Sequence, residues 1–267
     1  MFKRLLSKKN RALLAELVRT DFKLRYQGSV LGYAWSLLRP LFLFLILYLV
    51  FVKFLRVGNS VPHYPVYLLL GVLIWNFFIE VTVQGLGSIV GRGDLIRKIS
   101  IPRWIIVLSS SIAALINFGL NLIVIFVFMI FNHVNFGASF LWLIPIFIEI
   151  YVFALGIALF LATAFVKYRD VTYVWEVVLQ AGFYITPILY PLSLIRNLTF
   201  RSIMLLNPMA QSIQDARYVA VTKQTIVGHT TFHTEWHTII PYALVVVVFF
   251  VGAYVFRKQS RYFAENV

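Results

Sequence analysis

The sequence predicts an all-α membrane protein of six transmembrane helices with both termini in the cytoplasm. Three observations carry this. Hydrophobic residues make up 61% of the 267 positions and charged ones only 13%, too apolar for ordinary soluble packing. Six apolar runs, at 33–52, 64–79, 105–130, 140–166, 171–189 and 239–255, mostly approach the roughly 20 helical residues that cross a bilayer. The runs are continuous rather than alternating, so helices that satisfy their own backbone are favoured over a barrel. Basic residues then gather on alternate connections: Arg11, Arg19, Lys23 and Arg25 precede span one, Arg92, Arg97, Lys98 and Arg103 follow span two, Lys167 and Arg169 follow span four, and Arg257, Lys258 and Arg261 follow span six. The positive-inside rule places all of these in the cytoplasm.

Before span one, residues 11–26 read as an amphipathic helix in the cytoplasmic interface. Leu13, Leu14, Leu17, Val18 and Phe22 share one face, and Glu16, Arg19, Thr20 and Lys23 the other. A solvated helix that covers another subunit is the alternative, and periodicity does not separate the two. Gly28 and Gly32 turn the chain into span one, where Arg39-Pro40 predicts a kink and a snorkelling cation. Gly85, Gly87, Gly91 and Gly93 loosen the exit from span two. The polar break at 91–103 then combines Arg92, Arg97, Lys98 and Arg103 with Leu95, Ile96, Ile99 and Ile101, a pattern suited to docking something outside the membrane.

Span five meets Pro187 and Pro191, and the segment 192–224 is neither apolar enough to span nor polar enough for a plain loop. Within it, residues 203–210 read as a re-entrant or interfacial element lining a pathway mouth, with an external surface loop as the alternative. One membrane domain fills residues 1–267: a cytoplasmic N-terminus at 1–29, the six-span bundle at 30–258 and a cytoplasmic tail at 259–267.

The net charge of +14 raises nucleic acid as a partner, but the cations border membrane spans, and topology with anionic lipid explains them better. The absence of cysteine excludes disulfides and thiolate metal sites and leaves the redox compartment undecided. Residues 1–20 are not a signal peptide, because Glu16 and Arg19 interrupt any apolar core and no small-residue cleavage pattern follows.

There is no Gly-x-x-x-x-Gly-Lys-Ser/Thr phosphate loop, so energy must come from a partner or a gradient. Asp21, Asp94, Asp170 and Asp215 are isolated from one another, which weakens metal-dependent enzyme readings. Glu80, Glu149 and Glu176 fall in or beside spans, where a central charge costs about 2.5–3.5 kcal/mol on insertion scales. For Glu80 and Glu176 a boundary pairing with Arg97 or Arg169 is the simple reading; Glu149 suits a proton relay or a helix-packing hydrogen bond. His229, His233 and His237 recur every fourth residue beside Thr, Trp and Glu, a context that suggests a strand or hairpin more than a metal site. Aromatics reach 17%; Phe44, Tyr48 and Phe51 share a face, as do Trp75 and Phe78, while Tyr173, Phe183, Tyr184 and Tyr190 mark span five. They serve as interface anchors or as a stacking surface over which sugar rings slide.

In order along the chain stand Asp21-Phe-Lys-x-Arg25-Tyr, Leu31-Gly-x-x-Trp35, Pro40-Leu41, Leu95-Ile96-Arg97-Lys98 ahead of Ile101-Pro102-Arg103, Tyr168-Arg169-Asp170, Thr186-Pro187-Ile188-x-Tyr190, Leu206-Asn207-Pro208-Met209 and Arg217. Together they resemble ABC-2 type permeases, and within them the branch that exports O-antigen, capsule and teichoic acid. The resemblance implies a homodimer docked to two ATPase subunits, which bind the ATP and Mg; no cofactor is expected in this chain. It implies a bacterial inner-membrane location and, as substrate, a polymer on undecaprenyl diphosphate moved outward. By residue, it implies an interface helix with Leu13, Leu17, Arg19, Phe22, Lys23 and Arg25, a coupling helix with Asp94, Leu95, Ile96, Arg97, Lys98 and Ile99, and an external gate with Asn207, Pro208, Met209 and Arg217. By helix placement it implies a channel near Trp35, Tyr48, Phe51, Trp75, Phe78, Phe183, Tyr184 and Tyr190. A proton-coupled carrier using Glu149 and a membrane enzyme of lipid-linked sugars using the histidines are the competing readings.

Overall fold

A computed structural model describes residues 8–26, 31–56, 61–98, 101–232 and 235–263; Ile99, His233 and the side chain of Arg25 lie outside the described residues. All regular structure among the described residues is helical: α1 (Lys8–Tyr26), α2 (Trp35–Leu47), α3 (Tyr64–Ser88), α4 (Gly93–Lys98), α5 (Trp104–Phe131), α6 (Leu143–Lys167), α7 (Val171–Ile185), α8 (Leu198–Leu205), α9 (Pro208–Ala220), α10 (Gly228–Thr231) and α11 (Glu235–Gln259). Among the described residues, five stretches are long and apolar enough to cross a membrane: Trp35–Phe54, Tyr64–Ser88, Trp104–Phe131, Ala138–Lys167 and His237–Tyr262.

The centre is α3. It is apolar nearly all round and buried along most of its length, from Tyr64 to Leu86, with α5 and α6 packed against it. On its far side α6 meets α11 at backbone contact: a Cβ built on Gly252 would lie 2.1 Å from the carbonyl oxygen of Gly156. Small residues are what permit such an approach where lipid supplies no hydrophobic drive between helices. By contrast α2 and α7 sit at the periphery. In α2 only Ser36 and Phe44 are buried, and in α7 only Leu179.

Three local expectations change. Helix α2 runs through Pro40, and its departure from α geometry comes later, where Tyr48–Phe54 winds as a π-helix and the Leu55 amide donates to the Val50 carbonyl. Span five was expected over 171–189, but α7 ends at Ile185 and Thr186 is extended, with ψ 136°. Pro187 explains this, since its ring disfavours the α conformation in the residue before it. The strand or hairpin expected around the histidines is helical instead, formed by α10 and the start of α11.

Between α7 and α11, α8 is capped by the Asn197 side chain, which accepts from the Thr199 and Phe200 amides, and α9 by Asn207, which accepts from Met209. Pro208 at the first turn of α9 needs no amide partner. Nearly every residue of α9 is buried, against α6 and α3, whereas Leu198, Phe200 and Ile203 of α8 are exposed.

Candidate coupling surface, polar groove and buried gate helix

At one end of the molecule α1 lies along α5, and a charged cluster joins them to the segment that leads into α4. Arg92 pairs with Asp21 of α1 and donates through Nη1 to Ser109 Oγ of α5 at 3.0 Å, while Ser109 Oγ lies 3.2 Å from Asp21 Oδ2. The Arg92 and Asp21 side chains are about one-fifth exposed, so the pair is only partly screened. The Arg92 segment is thereby tied to α1 and α5 together. Neither Asp21 nor Ser109 stood out as a site residue in the sequence, because an isolated aspartate and one serine among three carry no spacing signal.

Helix α4 divides its residues by face. Ile96 is 7% exposed and belongs to the core, so it is not offered to a partner. Leu95 is half-buried, and Asp94, Arg97 and Lys98 are exposed. Asp94 stands in the first turn and Arg97 and Lys98 in the last, as the helix dipole favours, and Arg97 donates to Asp94 at 2.9 Å. The outward face of α4 is therefore Arg97 and Lys98 beside Leu95. Arg97 does not reach Glu80, whose carboxylate instead accepts from Gln84 at 3.1 Å and from Asn117 of α5 at 2.7 Å.

Around Glu80 runs a groove of about 840 Å³ between α2, α3 and α5, lined by Trp35, Ser36, Arg39, Asn76, Glu80, Gln84 and Asn117 among others. The carboxylate, amides and guanidinium there stand beside the apolar Pro40, Leu43, Ile79 and Val83, so the groove has a mixed polar and apolar lining. On α7 the exposed residues Tyr173, Glu176, Val177, Gln180 and Tyr184 fall on one stripe at helical spacing. Glu176 and Gln180 there are exposed and form no ion pair or side-chain hydrogen bond with the described residues, and the Arg169 guanidinium instead sits over the Phe165 ring at 5.2 Å.

The aromatics expected at a channel separate into groups. Trp75 and Phe78 pack together at 5.4 Å, Trp75 meets Phe183 at 6.3 Å, and Phe78 meets Trp175 at 6.2 Å, so this set fills the α3–α7 seam within the protomer. Trp175 also donates to Thr82 Oγ1 at 3.2 Å. Trp35 and Tyr184 face outward at 44% and 63% exposure. Tyr48 lies 5.9 Å from the buried Phe44, and Phe51 is half-buried. The Tyr190 hydroxyl donates to the carbonyls of Tyr184 and Ile185 at 3.3 and 3.1 Å and so caps the interrupted end of α7.

Helix α9 is anchored by Arg217, whose side chain is fully buried. Nε donates to the Tyr67 carbonyl at 2.9 Å, Nη1 to Pro187 at 2.6 Å and to Gln214 Oε1 at 3.1 Å, and Nη2 to Ile188 at 2.7 Å. No carboxylate among the described residues forms an ion pair with it. Burial pushes the guanidinium below its ordinary pKa, opposed by Tyr67 and Tyr64. Two of the carbonyls it reaches, those of Pro187 and Ile188, belong to the extended segment that follows α7 and the third, that of Tyr67, to α3, so one side chain ties that segment and α9 to α3. Asn207 and Pro208 start the same helix, and Met209 is buried in the core.

His229 meets Tyr218 edge-on at 5.3 Å and His237 stacks on Phe232 at 5.8 Å, and no group of three metal-ligating side chains occurs among the described residues.

Residues 12–221, from within α1 to just past α9, match the family model for ABC-2 type transporters. The chain belongs to the ABC-2 type transporter family. It is 30% identical over 254 residues to an O-antigen export system permease protein RfbA of Klebsiella pneumoniae, covering 95% of this chain and 94% of that protein. It is likewise 30% identical over 262 residues to the RfbA protein of Myxococcus xanthus, covering 96% of each. As an ABC-2 family member with five long apolar helices it is a multi-pass membrane protein. The family match includes α4, the Asp21–Arg92–Ser109 cluster, the polar groove and α9.

Proposed function

We propose that this chain is the transmembrane subunit of an ATP-driven exporter that carries a lipid-linked polysaccharide, or a teichoic-acid-like polymer, from the cytoplasm to the outer face of the bacterial inner membrane. The observation that carries the reading is identity across nearly the whole length to permeases named for O-antigen export. In this reading two copies associate with two ATPase subunits, which supply ATP and Mg. The Arg97 and Lys98 face of α4 receives the ATPase, and the Asp21–Arg92–Ser109 cluster passes its motion to α1 and α5.

Both termini are cytoplasmic in this topology, and α7 with the buried residues 186–189 makes the sixth crossing. At 15 residues α7 alone reaches only about 22 Å, so it needs that extension and the re-entrant α8–α9 pair to close the outer half. The unpartnered polar stripe of α7 and the Glu80 groove favour a second copy across a hydrated path, because lipid leaves Glu176 and Gln180 unsatisfied.

The test is co-purification with an ABC ATPase subunit, then reconstitution with an undecaprenyl-diphosphate-linked glycan. ATPase stimulation and ATP-dependent appearance of the glycan on the far face are expected. Transport that collapses with a protonophore while ATP is held constant would replace this reading with a gradient-driven carrier.

A further inference from the structure

Beyond the contact between Gly156 and Gly252, α6 and α11 part, and a wedge of about 520 Å³ opens between their last turns and the residues just after them. One wall is Phe160, Thr163, Ala164 and Lys167 of α6 with Tyr168; the other is Val255 and Gln259 of α11 with Tyr262. Phe263 lines it too, buried and edge-on to Phe256 at 5.3 Å. Later residues of both helices meet the same wedge, so α6 and α11 run the same way, and both change from apolar to polar in that direction. Phe160 and Ala164 give way to Lys167 and Tyr168, and Val255 to Gln259 and Tyr262. Thr163 does not interrupt the apolar end, because its hydroxyl donates to the Leu159 carbonyl within α6 at 2.9 Å.

Lys167 is the one charged residue of the lining; it is exposed, its ammonium lies 5.1 Å from the centre of the Tyr168 ring, and it forms no ion pair among the described residues. The stretches 160–170 and 255–263 carry Lys167, Arg169, Arg257, Lys258 and Arg261 against a single acid, Asp170. An apolar slot that ends in a cationic rim, on two helices that cross a bilayer, matches an amphiphile with a hydrocarbon tail and an anionic head. A soluble anion would leave the end at Phe160 and Val255 unused. We propose that the wedge binds an anionic glycerophospholipid, its acyl chain between Phe160, Ala164 and Val255 and its phosphate at Lys167 and Gln259. The α11 wall lies beyond residues 12–221, the stretch that matches the family model. Only the assignment of the headgroup to the cytoplasmic leaflet rests on the proposed topology.

The experiment places the permease with its ATPase in phosphatidylcholine nanodiscs that contain a trace of phosphatidylglycerol with a photoreactive diazirine in its acyl chain. Cross-linked peptides are then mapped by mass spectrometry. Labelling at 160–164 and 255–259 is expected to exceed that by a phosphatidylcholine probe of the same chain about fivefold, the effect of one cation near an anionic headgroup. Lys167→Gln, a change at an exposed side chain, is expected to remove most of that preference. Ala164→Trp, which fills the slot, is expected to abolish labelling there by both probes; if that variant does not fold, the Lys167→Gln comparison decides alone. Equal labelling by the two lipids, or a preference unchanged in Lys167→Gln, overturns the site. So does labelling that appears in the permease alone and vanishes with the ATPase bound, which would make the wedge an ATPase contact. Displacement of the probe by excess undecaprenyl-diphosphate-linked glycan would assign the wedge to the cargo and overturn it equally. None of these readouts requires transport, so their failure leaves the exporter reading standing.

Discussion

The guanidinium of Arg217 lies 3.7 Å from the centre of the Tyr67 ring and donates to the carbonyl of the same residue. One tyrosine thus supplies both the stacking surface and a hydrogen-bond acceptor for a buried cation that has no anion among the described residues. Arg217→Met removes the side-chain donors to the carbonyls of Pro187 and Ile188, which lie in non-helical backbone, at about 1–3 kcal/mol each. Thermal unfolding of the detergent-purified chain should show the loss as a markedly lower midpoint. Gly71→Ala should act alike, since its Cβ would stand 2.3 Å from Arg217 Nη2.

The charged cluster at the other end predicts a different phenotype. Asp21→Asn and Arg92→Gln should each lower ATP-driven export while the ATPase still co-purifies, because the outward face of α4 is untouched. A double-mutant cycle on stability should return a coupling of about 0.5–3 kcal/mol. A coupling near zero would mean that the pair carries no load between α1 and the Arg92 segment.

Within α4 the two faces should separate. Reversal of Arg97 and Lys98 to Glu should weaken ATPase association, and more at low salt than at high, because these side chains are exposed and screened. Ile96→Ala should instead destabilise the permease by about 2–5 kcal/mol, as for a buried aliphatic residue, with association preserved in the folded fraction.

For α7 the prediction is a pattern. Because the natural chain has no cysteine, single cysteines can be read without background. Substitution at Glu176 and Gln180 should give thiols that a water-soluble maleimide labels rapidly, whereas Val178 and Ile185, exposed on another side of the helix, should label slowly. Uniform slow labelling would place the whole helix in lipid and remove the support for a hydrated path.

How much of this was legible from the residues follows from what each element depends on. Helices α3, α5, α6 and α11 announce themselves because a segment in lipid must be apolar and must close its own hydrogen bonds. Pro187 announces a break, but not that α7 stops two residues earlier. Arg217 belongs to a recognisable motif, yet its partners are main-chain carbonyls 29, 30 and 150 positions away, and a carbonyl leaves no mark on residue identity. The same holds for the outward face of α4: spacing groups Leu95, Ile96, Arg97 and Lys98, and only packing reveals that Ile96 turns inward. The expected channel aromatics were chosen by helix, and burial moves Trp75 and Phe78 into the seam between helices.

The contact between Gly156 and Gly252 makes α6 and α11 one double-width strut, because backbones in touch leave no compliant side chains between them. With α3 fixed beside it, this half of the protein is a chassis. The thinly packed perimeter, α2 and α7, is where the structure leaves room for movement.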